Sequence, residues 1–308
     1  MKKILYIFTA TALFAISTSA FASAILVDSV GGVSVKFPDE KIMAGEIGME
    51  MPQGSFVSTD NSGRASILLE TGTVAEIGPD SNYSVGRESK EVKSSEFGGG
   101  IMLAMREISA SDEGPTVHGM VRGVRTFKRA RPRPRANIIG AIYPKATNVL
   151  LTDKISFEWD SEPKVDWPSP AIAIDDASAK NIAIIPIKQN QSSAIVSNSS
   201  ARFERGKKYS WYLATRSPEL SGKTARFEFG VLPYRAEKEL NSEIEKIKGL
   251  KMSPDGEAFM RAQVYYRYAL YRMAVDTLQP IYKKTGQENI GKLIDLSQKK
   301  MGIRRSKD

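Results

Sequence analysis

From Ala24 to about Lys128 apolar residues recur in short runs, AILVDSV, GVSVKF, SFVST, ASILLE, VAEIG and NYSVG, broken by Gly, Pro, Asn and Asp. Runs of this kind predict β-strands joined by turns. Within RASILLETGTVAEIG, Ala65, Ile67 and Leu69 alternate with Ser66, Leu68 and Glu70, Thr71-Gly72 supplies a tight turn, and Val74 and Ile77 resume the apolar face. That pattern predicts a hairpin with one buried face. The close spacing of strands implies an all-β sandwich or a small solenoid-like stack.

A second β pattern runs from Asn137 to about Leu232: NVLLTD, KISFEWD, AIAIDD, NIAIIPI, KKYSWYLAT and TARFEFGVL. Phe157 and Trp159 fall on one strand face, and Tyr209 and Trp211 on another, as when two sheets each supply large side chains to one core. The segment resembles Ig-like or fibronectin-type sandwiches, without the cysteine pair of antibody domains.

From Pro233 the period becomes helical. AEKELNSEIEKIKGL places Leu240, Ile244, Ile247 and Leu250 on one helix face. Ser253-Pro254-Asp255 has the form of an N-cap, two helices follow and end near Gly286, and ENIGKLIDLSQKKMG predicts a last helix. The middle hairpin resembles a tetratricopeptide-type repeat, with Ala262, Tyr265, Ala274 and Leu278 at its small, aromatic, small and apolar positions. It departs from that pattern at Ala258 and Gly286. One repeat cannot bury its own face. The hairpin is therefore expected to pack on flanking helices, on a sandwich or on another chain, with Tyr265 in the core. Tyr266, Arg267, Tyr268 and Tyr271 are the candidate partner-binding surface, because Tyr and Arg are enriched in contact hot spots.

Three stretches carry a wider resemblance: AILVDSVGGVSV, GSFVSTDNSGRASILLETGTVAEIGPDSNYSV and GPTVHGMVRGVRTF. Together they are similar to the FecR domain family, over roughly residues 24 to 128. The resemblance implies a periplasmic β domain of the kind found in iron-responsive transmembrane regulators and in secreted proteins. Only Met1-Lys2-Lys3 precede the apolar N-terminal segment, so direct control of a sigma factor is not carried over.

Residues 1–22 begin with Lys2 and Lys3, continue through an apolar run and end on Ala20-Phe21-Ala22, the layout of a secretory signal peptide cut between Ala22 and Ser23. The expected location is periplasmic or secreted, with membrane attachment only if the segment stays uncleaved. Cysteine is absent, which excludes disulfides and thiolate metal sites. The formal charge is +9, and loss of Lys2 and Lys3 leaves 42 basic against 35 acidic residues, or +7. Residues 23–128 hold 10 basic and 15 acidic groups and residues 233–308 hold 16 and 10, an acidic front and a basic rear that permit self-association. Between them, residues 129–136 form an Arg/Pro linker whose Arg131, Arg133 and Arg135 are candidates for an acidic ligand. Nucleic acid is not an expected partner, since no aromatics interleave with these arginines.

The chemistry of catalysis is thin. His118 is the only histidine, and no Ser or carboxylate is set beside it in TVHGMVRG. STDNSG and GPDSN lack the spacing of a calcium loop. Asp175 and Asp176 are adjacent on a predicted strand and so point to opposite faces. The sequence thus predicts a mainly β protein with a C-terminal helical region: signal peptide 1–22, FecR-like domain 23–128, linker 129–136, Ig-like sandwich 137–232 and TPR-like region 233–308. The expected role is non-catalytic binding of an envelope protein or cell-wall polymer, with no cofactor or metal and with homo-oligomers possible. The alternatives are a periplasmic sensor of FecR-type signalling and an envelope hydrolase built on His118.

Overall fold

The computed structural model describes residues 22–86, 139–152, 154–161, 169–189, 191–215 and 225–303. Over these residues the chain is mainly β with a helical C-terminal region, as the sequence predicts. The N-terminal unit contains β1 (Ala22–Val30), β2 (Val33–Lys36), β3 (Ile42–Ala44), β4 (Glu50–Pro52), β5 (Phe56–Thr59), β6 (Arg64–Leu69), β7 (Val74–Ile77) and β8 (Asn82–Ser84). They form two antiparallel sheets, ordered β4-β1-β6-β7 and β3-β2-β5-β8. Ala24, Leu26, Val33, Val35, Met51, Val57, Ala65 and Ile67 fill the space between them.

The chain passes from one sheet to the other at tight corners, and these explain the glycine-rich punctuation. Gly31, at φ +72, carries β1 into β2, and a Cβ there would sit 2.7 Å from the Ser62 carbonyl. The return corner, Asp60 to Gly63 between β5 and β6, stacks on it, with Asp60 N donating to Gly32 O at 2.9 Å. A third corner, at Gly78-Pro79, joins the same knot: Asp80 N donates to Asp60 O at 2.9 Å, and Thr59 Oγ1 donates to Gly78 O at 2.6 Å. STDNSG is therefore a structural corner in which a Cβ at Gly63 would meet the Gly32 carbonyl oxygen at 2.4 Å.

The predicted hairpin forms, with Ala65 opposite Ile77 and Leu68 opposite Val74. Both of its faces are covered, however. Ala65 and Ile67 point into the sandwich, whereas Leu68, with Ile25 and Val27 of β1, belongs to a second core made with the C-terminal helices. A one-faced hairpin was the wrong expectation, because helices distant in sequence take up the other face.

The second unit is a sandwich of β9 (Ile139–Tyr143), β10 (Asn148–Val149), β11 (Lys154–Ser161), β12 (Ala171–Asp176), β13 (Asn181–Pro186), β14 (Ser193–Ser197), β15 (Lys208–Ala214) and β16 (Phe227–Val231), with a short helix α1 (Asn198–Ala201) after β14. Its sheets are ordered β14-β11-β9 and β10-β16-β15-β12-β13, with β10 and β16 parallel. In Ig terms, β11 and β14 stand at the B and E positions, and β12, β15 and β16 at C, F and G. Trp211 is fully buried, with its ring centroid 5.2 Å from that of Phe157 and 6.3 Å from that of Trp159. Its indole N–H donates to Pro144 O at 2.7 Å, so burying the ring leaves no unpaired donor. Sequence patterning missed β3, β4, β9 and β14, all of them sheet edges.

Four longer helices follow: α2 (Tyr234–Lys248), α3 (Pro254–Arg267), α4 (Tyr271–Thr285) and α5 (Glu288–Lys300). Gly286 closes α4 in the left-handed conformation, at φ +65. Phe259, Met260, Ala262, Leu278, Ile290 and Leu293 pack with Ile25, Val27, Ile47 and Leu68, so the helices share one core with the first sheet. At the seam, Asp28 of β1 is 1% exposed. Its carboxyl accepts from Ser253 N at 2.8 Å and from Ser253 Oγ, and the same Oγ accepts from Gly256 N at 3.1 Å, capping α3.

Gly63→Ala is expected to cost about 1 to 3 kcal/mol, since its Cβ must displace backbone rather than a side chain. Denaturant unfolding measures this, and an unchanged midpoint would contradict the stacked-corner account. Asp28→Ala removes the acceptor for two buried donors and is expected to lower stability by roughly 2 to 4 kcal/mol. It should also raise hydrogen exchange in α3 ahead of the Ig-like sandwich.

Candidate functional site

The helices form a platform that carries both β units. On one side lies the Asp28 seam. On the other, the turn between α3 and α4 receives the second sandwich: Thr147 Oγ1 and Asn148 N each donate to Ala269 O at 2.8 Å, and Asn148 Nδ2 donates to Tyr268 O at 2.9 Å. Thr147 is fully buried. Ala269 stands at φ +56, a conformation usually left to glycine or asparagine, which turns its carbonyl toward these donors. Arg272 of α4 completes the joint. It lies 3.0 Å from Glu158 of β11 and 3.0 Å from Asp276, with its guanidinium 5.8 Å from the Tyr143 ring centroid.

The Tyr/Arg cluster lies in this platform. Tyr266 is 4% exposed, with its ring centroid 5.3 Å from that of Tyr271, while Tyr265 is only partly buried. Tyr265 does pack against the core, as expected, but Tyr266, expected at the surface, is the more deeply buried of the two. The turn after Arg267 directs the Tyr266 face of α3 inward against α4, so Tyr266 presents no outward surface. Arg267 Nη2 lies 2.6 Å from both carboxylate oxygens of Glu243 on α2, and Tyr268 OH donates to Glu243 Oε1 at 3.1 Å. All four residues proposed for a partner are thus tied to α2 or to each other. The free helix surface envisaged from sequence is here a joint within the chain.

Burial first, and then the Glu243 carboxylate, push the Tyr268 hydroxyl up to about 12. Tyr143 is likewise raised to about 12, chiefly by burial, with Arg272 opposing the shift.

Other predicted sites divide clearly. Arg131, Arg133, Arg135 and His118 lie outside the described residues. So does most of the predicted signal segment; Ala22 and Ser23 are the first residues of β1. Asp60 accepts from both N and Oγ of Ser62, which hold its carboxyl below the usual carboxylate range. Asp175 is 2% exposed, accepts from Asn181 at 3.1 Å and lies 2.7 Å from Arg226, whereas Asp176 accepts from the N–H groups of Ser178 and Lys180 in the following turn. The adjacent carboxylates serve separate contacts, as their strand spacing requires. Among the described residues no group of three or more His, Asp and Glu side chains converges to hold a metal ion. Nor is any helix there long and apolar enough to cross a membrane.

Sequence reasoning missed a face of the N-terminal unit. In the sheet turned away from the helices, Ile42 of β3, Lys36 of β2 and Phe56 of β5 stand opposite one another in one cross-strand row. Ile42 is 66% exposed and Phe56 46%. Lys36, between the two apolar side chains, is ion-paired with Glu40. The signal was present in SFVST, where Val57 occupies the inward position and parity sends Phe56 outward.

No family model and no curated protein matches this chain. Among solved structures, one described as "Cell surface anchoring domain" aligns with 21% of this chain and 84% of its own length, at 26% identity and a TM-score of 0.20. A TM-score this low carries no argument.

The raised tyrosines set an alkaline limit. A phenol at about 10 in the unfolded chain and about 12 in the fold contributes stability in full below pH 10 and loses it as pH rises from about 10 to 12. Tyr268→Phe should flatten that part of the stability profile, read by urea midpoints at closely spaced pH values. An equal loss in both proteins would show that Tyr268 does not drive it.

Proposed function

We propose that this protein is a non-catalytic binding and scaffold module of the bacterial cell envelope, exported by its N-terminal segment, whose N-terminal unit is a FecR-type domain. The observation that carries the binding reading is the exposed Ile42–Lys36–Phe56 row. Large apolar side chains on a flat sheet face, placed around one cation, suit a protein contact more than a polymer chain. The platform supports the scaffold reading, because both β units bond to the same α3–α4 hairpin and are held in one arrangement. The helices then act as the internal brace rather than as the docking arm.

Deleting residues 233–308 would strip the cover from Ile25, Val27 and Leu68, so loss of binding by a truncated chain would report unfolding. Surface substitutions avoid the problem. Crosslinking in the intact envelope should capture a defined protein with the wild-type chain, and Ile42→Glu with Phe56→Glu should reduce capture at least tenfold while leaving the thermal midpoint unchanged. Equal capture by the variant would remove this face from the function, and sedimentation with cell-wall polymer alone would replace the protein partner.

A further inference from the structure

Most edges in this fold are guarded. β4 ends in Pro52 and its pairing is bulged, β7 carries exposed Glu76, and β3 and β8 are only three residues long. β14 is different. It is the outer strand of β14-β11-β9, pairs with β11 in unbroken register from Lys154↔Ser197 to Glu158↔Ser193, and contains neither proline nor charge. The whole run from Gln189 to Ala201 is uncharged in a chain of net charge +9.

The ladder fixes which backbone groups this edge offers. Trp159 N donates to Ser192 O at 2.9 Å, in the same register, so the hydrogen-bonded pairs of β11 and β14 fall at Ser192, Ala194 and Val196. Ser193, Ile195 and Ser197 therefore turn their N–H and C=O groups away from the sheet. The side chains alternate in step: Ala194 and Val196 are buried in the sandwich core, and Ile195 is 64% exposed on the outer face.

The strand reads Ser-Ala-Ile-Val-Ser, nearly the same in both directions about Ile195. We infer that β14 pairs antiparallel with β14 of a second copy, centred on Ile195, in an isologous two-fold dimer. Ile195 of each copy then exchanges N–H···O=C bonds with Ile195 of the other, and Ser197 N–H of each donates to Ser193 O of the other, the Ser197 carbonyl being taken by the first turn of α1. Serine faces serine, the two small core residues Ala194 and Val196 face each other, and the exposed isoleucines cover one another. The rotation also avoids facing like charges, since the row beginning at Lys154 and Ser197 continues into Ser193 and Glu158 of the mate. The two three-stranded sheets become one continuous sheet across the axis. A single five-residue strand pair is small beside the roughly 1,200 Å² of a stable interface, which places the affinity in the micromolar range.

Two measurements on the full chain test this, and neither depends on the Ile42–Phe56 face. Analytical ultracentrifugation over roughly 10 to 500 µM, a range bracketing such affinities, should show a monomer–dimer equilibrium that Ile195→Pro abolishes. Proline at 195 removes only an outward N–H, so the β14–β11 ladder and the thermal midpoint should survive. The protein has no cysteine, so Ile195→Cys introduces a lone thiol. The paired Cα atoms would lie about 5.5 Å apart, within disulfide reach. Oxidation should give a covalent dimer at least tenfold faster than with Ile184→Cys, which is similarly exposed at 62% on β13. The inference is overturned if the wild type stays monomeric, with the edge free or taken by another protein's strand, if Ile195→Pro dimerises as the wild type does, or if the two cysteine variants crosslink at equal rates.

Discussion

The architecture depends on β1 having no solvent face. Ala24 and Leu26 enter the sandwich while Ile25 and Val27 enter the helical core, so one strand closes two hydrophobic layers at once. Four successive apolar residues on an edge-free strand demand cover on both sides, and only the C-terminal helices supply the second. The first and last thirds of the sequence are thereby obliged to fold against each other. The buried Asp28 in this strand adds direction to an otherwise non-directional apolar seam, because its carboxyl takes both donors of Ser253, whose Oγ in turn caps α3 at Gly256 N. Gly256 itself is obligatory there, since a Cβ would lie 2.7 Å from Asp28 Oδ1.

The Ig-like sandwich attaches by a different kind of contact. It is joined to the platform by hydrogen bonds to the carbonyls of Tyr268 and Ala269 and by Arg272, with Tyr143 and Leu150 as the apolar contribution from its side. A joint of this kind fixes angle and register through directional bonds, whereas the N-terminal seam is built on apolar side chains. The Tyr/Arg composition of the α3–α4 hairpin is explained by this work. Arg267 and Tyr268 hold α2 through Glu243, and Arg272 holds β11, so residues chosen for multidentate polar contacts serve inside the chain as they do at interfaces between chains.

Among the described residues, two sheet surfaces are left open to other molecules. The two conspicuous ones differ in character: the Ile42–Lys36–Phe56 row is a side-chain face, and β14 is a backbone edge with a neutral, near-palindromic sequence. They lie on separate β units held on one platform.

Local sequence determined the elements wherever the side-chain period was strong. The alternation in KISFEWD and KYSWYLA, the helical spacing of Leu240, Ile244 and Ile247, the Ser253 cap and the Gly286 stop all act within a few residues, and each is found where the pattern puts it. The short edges β3, β4, β9 and β14 escaped because a strand with one neighbour needs little apolar patterning of its own. Only the tertiary structure decided what covers Leu68 and Ile25, that Tyr266 is buried more deeply than Tyr265, and that Asp28 meets Ser253 across 225 residues. A hydrophobic period states that a face must be buried, but it carries no information about which distant surface has the complementary shape and polar partners to bury it.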